Sequence, residues 1–437
     1  MDDRLNMNKV INLNFNLKVI NPEELGFITF TIGSFLLFSA PILASIFLIV
    51  SITVGFFRQK SFFLKDKFNL FLIFISFLMV KSCILFPLTQ EAINYESTSR
   101  LSTNSYIGLF NWIPLFMSFW GFQFFLDSKK KRKICAISLL CGTIPLLFSG
   151  YSQYFLNWYG PYEFLNGLII WFQRNNPEGR LTSVFNNPNY AGCVFSAIWP
   201  FFYAAFRNIK GKLSSKIILL IFNLLLIYAT LLTASRNSLG ALIIAVLIIC
   251  IPLNKRYLII SASSFLVIFF LNSFFRGFFK INFFPSFLFE KLEYQNILTD
   301  PRIMIWKNSL FYIVKKPLNG WGGNNFSYIW NNTNEEYFGH SHSIPLELSI
   351  QYGVVTALAI TGMVSLLLFL SFKKLFLAAD LKFINNQDRD NFDRAWFASA
   401  SSLIFSNLID IHYFDLRISI LIWILLAGLK NITYVKT

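Results

Sequence analysis

The sequence predicts an all-α, polytopic membrane protein of about 12 transmembrane helices. Two observations carry that expectation. Hydrophobic residues fill 55% of the 437 positions and charged residues only 14%, with 53 Phe and a mean hydropathy of +0.54, too apolar for a domain whose surface faces water. The second is layout. Apolar runs long enough to cross a bilayer alternate with short Lys/Arg clusters and with loops poor in positive charge, the pattern of topology anchors. That layout accounts for the net charge of +16 without nucleic acid, since no basic stripe interleaves with exposed aromatic residues.

The cysteines Cys83, Cys135, Cys141, Cys193 and Cys250 lie in or beside apolar runs. They form no Cys-x-x-Cys pair and have no His at ligand spacing, so they read as small core- or lipid-facing residues. No cleavable signal peptide is expected, because the first apolar run is too long for a signal h-region.

Taken in order, the run 27–57 exceeds one span and has Pro41 near its middle. Two short helices are expected there, although one kinked helix fits the same run. Arg58, Lys60, Lys65 and Lys67 then mark a cytoplasmic loop. Spans at 68–86 and 106–126 flank an outward loop with Glu91, Glu96 and Arg100. The cluster Lys129, Lys130, Lys131, Arg132 and Lys133 is the strongest inside signal, and a span at 134–155 follows it. Segment 156–188 is then external and ends in an Asn- and Pro-rich turn that leads into a helix.

Spans at 190–206 and 216–233 enclose Arg207, Lys210 and Lys212 on the inside. A short outer turn, Thr233 to Ser238, leads into a span that ends near 253, with Lys255 and Arg256 inside. A span at 257–274 returns the chain outward, and 275–343 forms one large external loop. A span at 344–370, a cytoplasmic loop with Lys373, Lys374, Lys382, Arg389 and Arg394, and two last spans enclosing Asp410 to Arg417 on the outer side complete the chain. The organisation is thus 1–178, N-terminal transmembrane helices; 179–371, a functional core with the loop 275–343; and 372–437, a cytoplasmic loop with the last two helices.

This register brings Arg180, Arg236, Arg302, His340 and His342 to one side of the membrane. Arg236 sits in a turn so short that its side chain meets the membrane boundary, where an unpaired charge is costly; function and snorkelling to head groups both fit. Arg302 falls in the first turn of an expected surface helix, where a cation opposes the helix dipole and so favours anion binding. Two such guanidiniums suit a lipid-linked pyrophosphate, because the planar fork matches phosphate oxygens. His340 and His342 share a face in an extended lead-in to a helix that starts at Ser343, Ile344 and Pro345, with Glu347 in its first turn. Three readings stay open for the pair: a general base, a structural or capping histidine, and a metal site whose nearest carboxylates are Glu335 and Glu336. Two His without a fitted third ligand fall short of a zinc set, so no metal is expected, and His412 is expected to be structural. The run Gly320 to Phe326 lacks a strand-turn-helix context and a following Lys-Ser/Thr, which excludes a nucleotide loop. Its glycines are expected to carry Trp321 and Phe326 against the membrane or a sugar.

Four stretches, in order, carry a resemblance. They are Gly179-Arg180-Leu181 with Asn187-Pro188-Asn189-Tyr190; Ser235-Arg236; Arg302 with Trp306 and Lys316-Pro317-Leu318 through Phe326; and His340-Ser341-His342 with Leu346 and Gly353. Together they resemble the O-antigen ligase and polymerase superfamily of bacterial membrane glycosyltransferases. The resemblance implies a GT-C-type enzyme of the inner membrane whose large periplasmic loop closes over an undecaprenyl-pyrophosphate-linked glycan. Such an enzyme moves the glycan to an acceptor hydroxyl, without metal or nucleotide. By position, Arg236 and Arg302 match the family's pyrophosphate-binding arginines and His342 its acceptor-activating base, with His340 a rival. Arg180 is a possible substrate contact. The family usually has Asn directly after that histidine, where this chain has Ser343. The implied partners are the lipid-linked donor, a lipid A-core or other glycan acceptor, and membrane lipid, with no cofactor. A ligase and a polymerase differ in acceptor, which the sequence does not separate. Outside the enzyme class, a transporter of a small solute is the alternative.

Overall fold

A computed structural model of the chain describes residues 21–86, 95–175, 179–209, 213–250, 300–332, 336–377 and 391–434. The expected span 257–274, the start of the large loop at 275–299 and Glu335 lie outside the described residues.

The first apolar run is two helices, α1 (Pro22–Leu36) and α2 (Pro41–Phe63), packed on each other. Asn21 accepts from the Glu23 N–H at the start of α1, and Glu23 and Glu24 complement its dipole. Pro41 opens α2, where its missing N–H would be unpaired in any case. Asp66 caps α3 (Lys67–Leu85) through the Phe68 N–H at 2.9 Å.

The span expected at 106–126 is instead broken into α4 (Tyr95–Leu109) and α5 (Ile113–Gln123). Pro114 starts a new helix rather than continuing the old one. The break is fastened by Tyr413, whose ring stacks on Trp112 with centroids 4.2 Å apart and whose hydroxyl donates to the Asn111 carbonyl at 3.0 Å. In the same way Pro145 opens α7 (Ile144–Leu156) directly after α6 (Lys129–Cys141), and the two together form one apolar stretch of spanning length.

After α7 the chain departs from the all-α expectation. A short antiparallel hairpin, β1 (Tyr162–Phe164) with β2 (Ile169–Trp171), turns through Leu165, Asn166 and Gly167, all at positive φ. The Trp171 indole pins it by donating to the Ser39 carbonyl between α1 and α2 at 2.9 Å.

The centre of the bundle is α8 (Pro188–Asn208), α9 (Leu213–Leu232) and α10 (Arg236–Cys250), joined by α15 (Asn391–Ile409) and α16 (Leu416–Tyr434). Between these groups come α11 (Pro301–Lys315), the short α12 (Phe326–Asn331), α13 (Ile344–Tyr352) and α14 (Val354–Phe372), the last running into a π turn at Lys373–Leu377. The span expected at 344–370 is interrupted at Gly353, whose φ of 87° suits glycine alone and whose added Cβ would lie 2.2 Å from the Leu318 carbonyl oxygen.

Among the described residues, 6 helical stretches are long and apolar enough to cross a membrane: α2, α3, α6 with α7, α9, α14 with its π turn, and α16. The expected total of about 12 is not reached among them. The helices α8 and α15 are of spanning length but more polar, and their polar residues, including Ser196, Asp393, Arg394 and Ser402, are turned into the bundle. A helix surrounded by protein tolerates such residues where a lipid-facing one does not. The buried Arg132 fork on α6 grips Asp393 on α15 with two 2.7 Å hydrogen bonds and donates to the Leu126 carbonyl at 3.0 Å, stapling the two helices.

Candidate functional site

The site is built around a residue on the turn between α15 and α16. Asp410 is 4% exposed. Its Oδ1 accepts from the Ile411 N–H at 2.9 Å and lies 2.7 Å from His342 Nδ1. Its Oδ2 accepts from the Arg302 guanidinium at 2.9 Å and from the Asn189 amide at 3.2 Å, and lies 3.9 Å from His412 Nε2. Burial alone would raise this carboxyl. The His342 hydrogen bond and the neighbouring charge of Arg302 outweigh it and hold Asp410 ionised, below the ordinary carboxylate range.

Each partner arrives on a separately anchored element. Asp300 caps α11 by accepting from the Arg302 N–H at 3.0 Å, while its second oxygen receives the Arg236 guanidinium at 2.5 Å. One carboxylate thus fixes the start of α11 against the start of α10. Arg236 is therefore paired rather than alone at the boundary, as its sequence context suggested. Asn187 caps α8 through the Asn189 N–H at 2.8 Å, which leaves the Asn189 side chain to bridge Asp410 and the Arg180 guanidinium, the latter at 2.7 Å. Arg180 also donates to the Thr233 carbonyl at 2.8 Å, at the turn before Arg236.

His340 and His342 lie in the lead-in to α13 with ring centroids 4.3 Å apart. His342 has a positive φ of 54°, uncommon for a residue with a Cβ, and this bend turns its imidazole toward Asp410. An ionised carboxylate accepts only, so His342 Nδ1 carries the proton it shares with Asp410, and Nε2 bears the lone pair. Nε2 has no hydrogen-bond partner among the described residues. The His340 Nδ1 accepts from the His342 backbone N–H at 3.3 Å. Burial, reinforced by the adjacent His342, lowers the His340 pKa to about 4, so its ring is neutral at neutral pH.

Ser343 starts α13 without capping it through its side chain. The clamp comes from within the helix. Buried Glu347 reaches back to accept from the Ser341 N–H at 2.7 Å and is itself held by Gln351 at 2.6 Å. The glycine turn before the histidines packs on the far end of the same helix, with Trp321 N–H to Ile350 at 2.7 Å and Gly322 N–H to Gln351 at 3.0 Å. Phe326 is 1% exposed and sits in a cluster with Ile305, Tyr312, Trp330 and Ile350. It is a core residue and not a platform for membrane or sugar, because the two-turn α12 has only that face to bury.

All five residues singled out from the sequence, Arg180, Arg236, Arg302, His340 and His342, thus belong to one network. Asp410, Asn189, Asp300 and Glu347 complete it and were not singled out. His340, His342 and Asp410 also present ligand atoms within 4.8 Å of one another, the geometry of a three-donor metal set. The carboxylate beside the pair is thus Asp410; Glu336 is exposed. Arg302 stands 2.9 Å from the same carboxylate, so a divalent ion would share Asp410 with a guanidinium.

A polytopic helical membrane protein with a buried carboxylate, a histidine pair and three arginines gathered at one end is the class that fold and site define. A family model described as O-antigen ligase matches residues 221–361, the stretch that carries Arg236, Arg302, His340 and His342. The match covers about a third of the chain and supports a likeness of that stretch to the O-antigen ligase/polymerase superfamily, glycosyltransferase-like enzymes of O-antigen biosynthesis. No curated protein matches the chain. Nothing in the match supports a transporter.

Proposed function

We propose that the chain moves a glycan from an undecaprenyl-pyrophosphate donor to a sugar hydroxyl of an acceptor, at the periplasmic face of the bacterial inner membrane. The observation that carries this reading is the contact between His342 Nδ1 and Asp410, which leaves Nε2 as a base directed away from the carboxylate. His342 Nε2 takes the proton of the acceptor hydroxyl as its oxygen attacks the anomeric carbon of the donor sugar. The bond from that carbon to the pyrophosphate oxygen breaks, with inversion. The imidazolium that forms is stabilised by ionised Asp410, and the departing pyrophosphate is met by Arg236 and Arg302. The Arg302 guanidinium has five N–H donors, so its contact with Asp410 fixes its plane without exhausting it. Arg180 acts through Asn189, which also holds Asp410. Metal and nucleotide take no part in this reading, and chelation by EDTA should leave transfer unchanged.

The test is surface glycan on a gel from cells that lack the gene and carry it back with single changes. Arg302→Ala should reach the membrane in normal amount and give no transfer; normal long-chain glycan from it removes the leaving-group role. The same gel separates the acceptors. Accumulated lipid-linked polymer with bare lipid A-core marks a ligase, and a single repeat on the core marks an O-antigen polymerase.

A further inference from the structure

We propose a second site, at the end of the bundle remote from His342, that binds the phosphate headgroup of an anionic phospholipid. A cavity of about 630 Å³ opens there between the end of α2, the start of α3 and the ends of α5 and α16. Helix α16 begins six residues after Asp410 and reaches the cavity at Tyr434; its 19 residues, at about 1.5 Å each, separate the two sites by about 28 Å.

Four cations line the cavity, Arg58, Lys65, Lys67 and Lys430, against two carboxylates, Asp66 and Asp127. Lys430 is used internally, bridging Asp66 and the Gln123 side-chain oxygen. Asp66 is used as well, as the cap of α3. Among the described residues Arg58 pairs with the half-exposed Glu23 at 3.4 Å, a weak solvated pair, and Lys65 Nζ sits 5.8 Å from the Phe62 ring centre. The site therefore keeps positive charge not neutralised inside the fold.

An independent observation points to an acceptor. Gln123 is 4% exposed and lines the cavity, and its Nε2 has no hydrogen-bond partner among the described residues. A buried amide donor left so is costly, and an anionic oxygen in the cavity satisfies it. The remaining lining chooses the source of that oxygen. Phe62 and Tyr434, 64% and 58% exposed, are rings of the kind that line a membrane boundary, and the neighbouring Phe57 and Leu64 are 65% and 67% exposed. The mouth thus opens where acyl chains meet head groups, and a diacyl phosphodiester fits both halves of it. The phosphate accepts from Arg58, Lys65 and Gln123, and its chains lie along Phe57 and Phe62.

The full chain in nanodiscs of phosphatidylcholine, with and without phosphatidylglycerol, tests this. Phosphatidylglycerol is expected to raise the thermal midpoint and to stay bound in native mass spectra. Arg58→Gln with Lys65→Gln should weaken retention roughly tenfold. Lys129→Gln with Lys130→Gln, exposed lysines outside the cavity, should leave it unchanged. Arg58→Gln alone, at a side chain 42% exposed, gives a smaller loss of the same sign and serves where the double variant does not fold. Equal loss in the Lys129/Lys130 control, no preference between lipids, or the same stabilisation from inorganic phosphate in phosphatidylcholine discs would overturn the proposal.

Discussion

At the scale of single residues, Asp410 organises the site. Replacing it with Asn keeps the volume but removes the acceptor-only oxygen that fixes the His342 tautomer and the charge that stabilises its protonated form. Transfer by Asp410→Asn should fall by roughly 10²-fold or more in kcat, with little change in donor KM, in a single-turnover assay. A KM effect alone would mean that Asp410 serves only donor binding through Arg302. The neutral His340 predicts a pH dependence of stability. Its pKa is about 4 in the folded chain against 6.5 for an ordinary, solvated histidine, so the unfolded chain binds more protons between those limits. Stability is full above that window and falls as pH drops through it. The thermal midpoint should decline from pH 7 to 5, and His340→Gln should flatten the decline without abolishing it, since buried His412 is shifted in the same direction. The arginines and histidines were legible because charge and imidazole are rare in so apolar a chain and stand out at loop positions. Asp410 was not, because its contact with His342 spans 68 positions and joins two different helix ends. An acidic residue closing an apolar span on the same expected side was the one available signal.

At the scale of elements, the histidine lead-in is held by backbone geometry more than by caps. Gly353→Ala should lower the thermal midpoint, because its φ of 87° disfavours any Cβ and the added carbon meets the Leu318 carbonyl. Activity per folded molecule should fall with it, as α13 carries both Glu347 and the lead-in. The Arg132 and Asp393 staple makes a second prediction. Asp393→Ala leaves a buried guanidinium without its carboxylate, which costs about 3–5 kcal/mol and should be seen as loss of folded protein in the membrane fraction. A variant with normal yield would show that the staple is dispensable. The stretch 134–155 reads as one span, so the new start at Pro145 was not expected, whereas helix starts at Pro41, Pro188, Pro301 and Pro345 follow directly from the sequence. The breaks within 106–126 and at Gly353 did not, since each depends on a partner far along the chain: Tyr413 for Trp112, and the turn at Leu318 for Gly353. The hairpin escaped because three-residue strands leave too short an alternation to read.

At the scale of the whole molecule, apolar composition and alternating charge lead to a helical membrane bundle, and the alternation also groups the arginines and histidines at one end. Periodicity could not foretell that helices as polar as α8 and α15 are of spanning length and central, because a helix shielded by other helices need not look like one facing lipid. The bundle serves to bring Arg180, Arg236, Arg302, His342 and Asp410 from five separate elements to one network. The most direct test of their proposed task is glycan transfer by cells that carry His342→Ala or His340→Ala, with membrane levels of each protein checked. Expected is no transfer from His342→Ala and retained transfer from His340→Ala. Transfer by the first and none by the second would contradict the assignment of the base and, with it, the role given to Asp410.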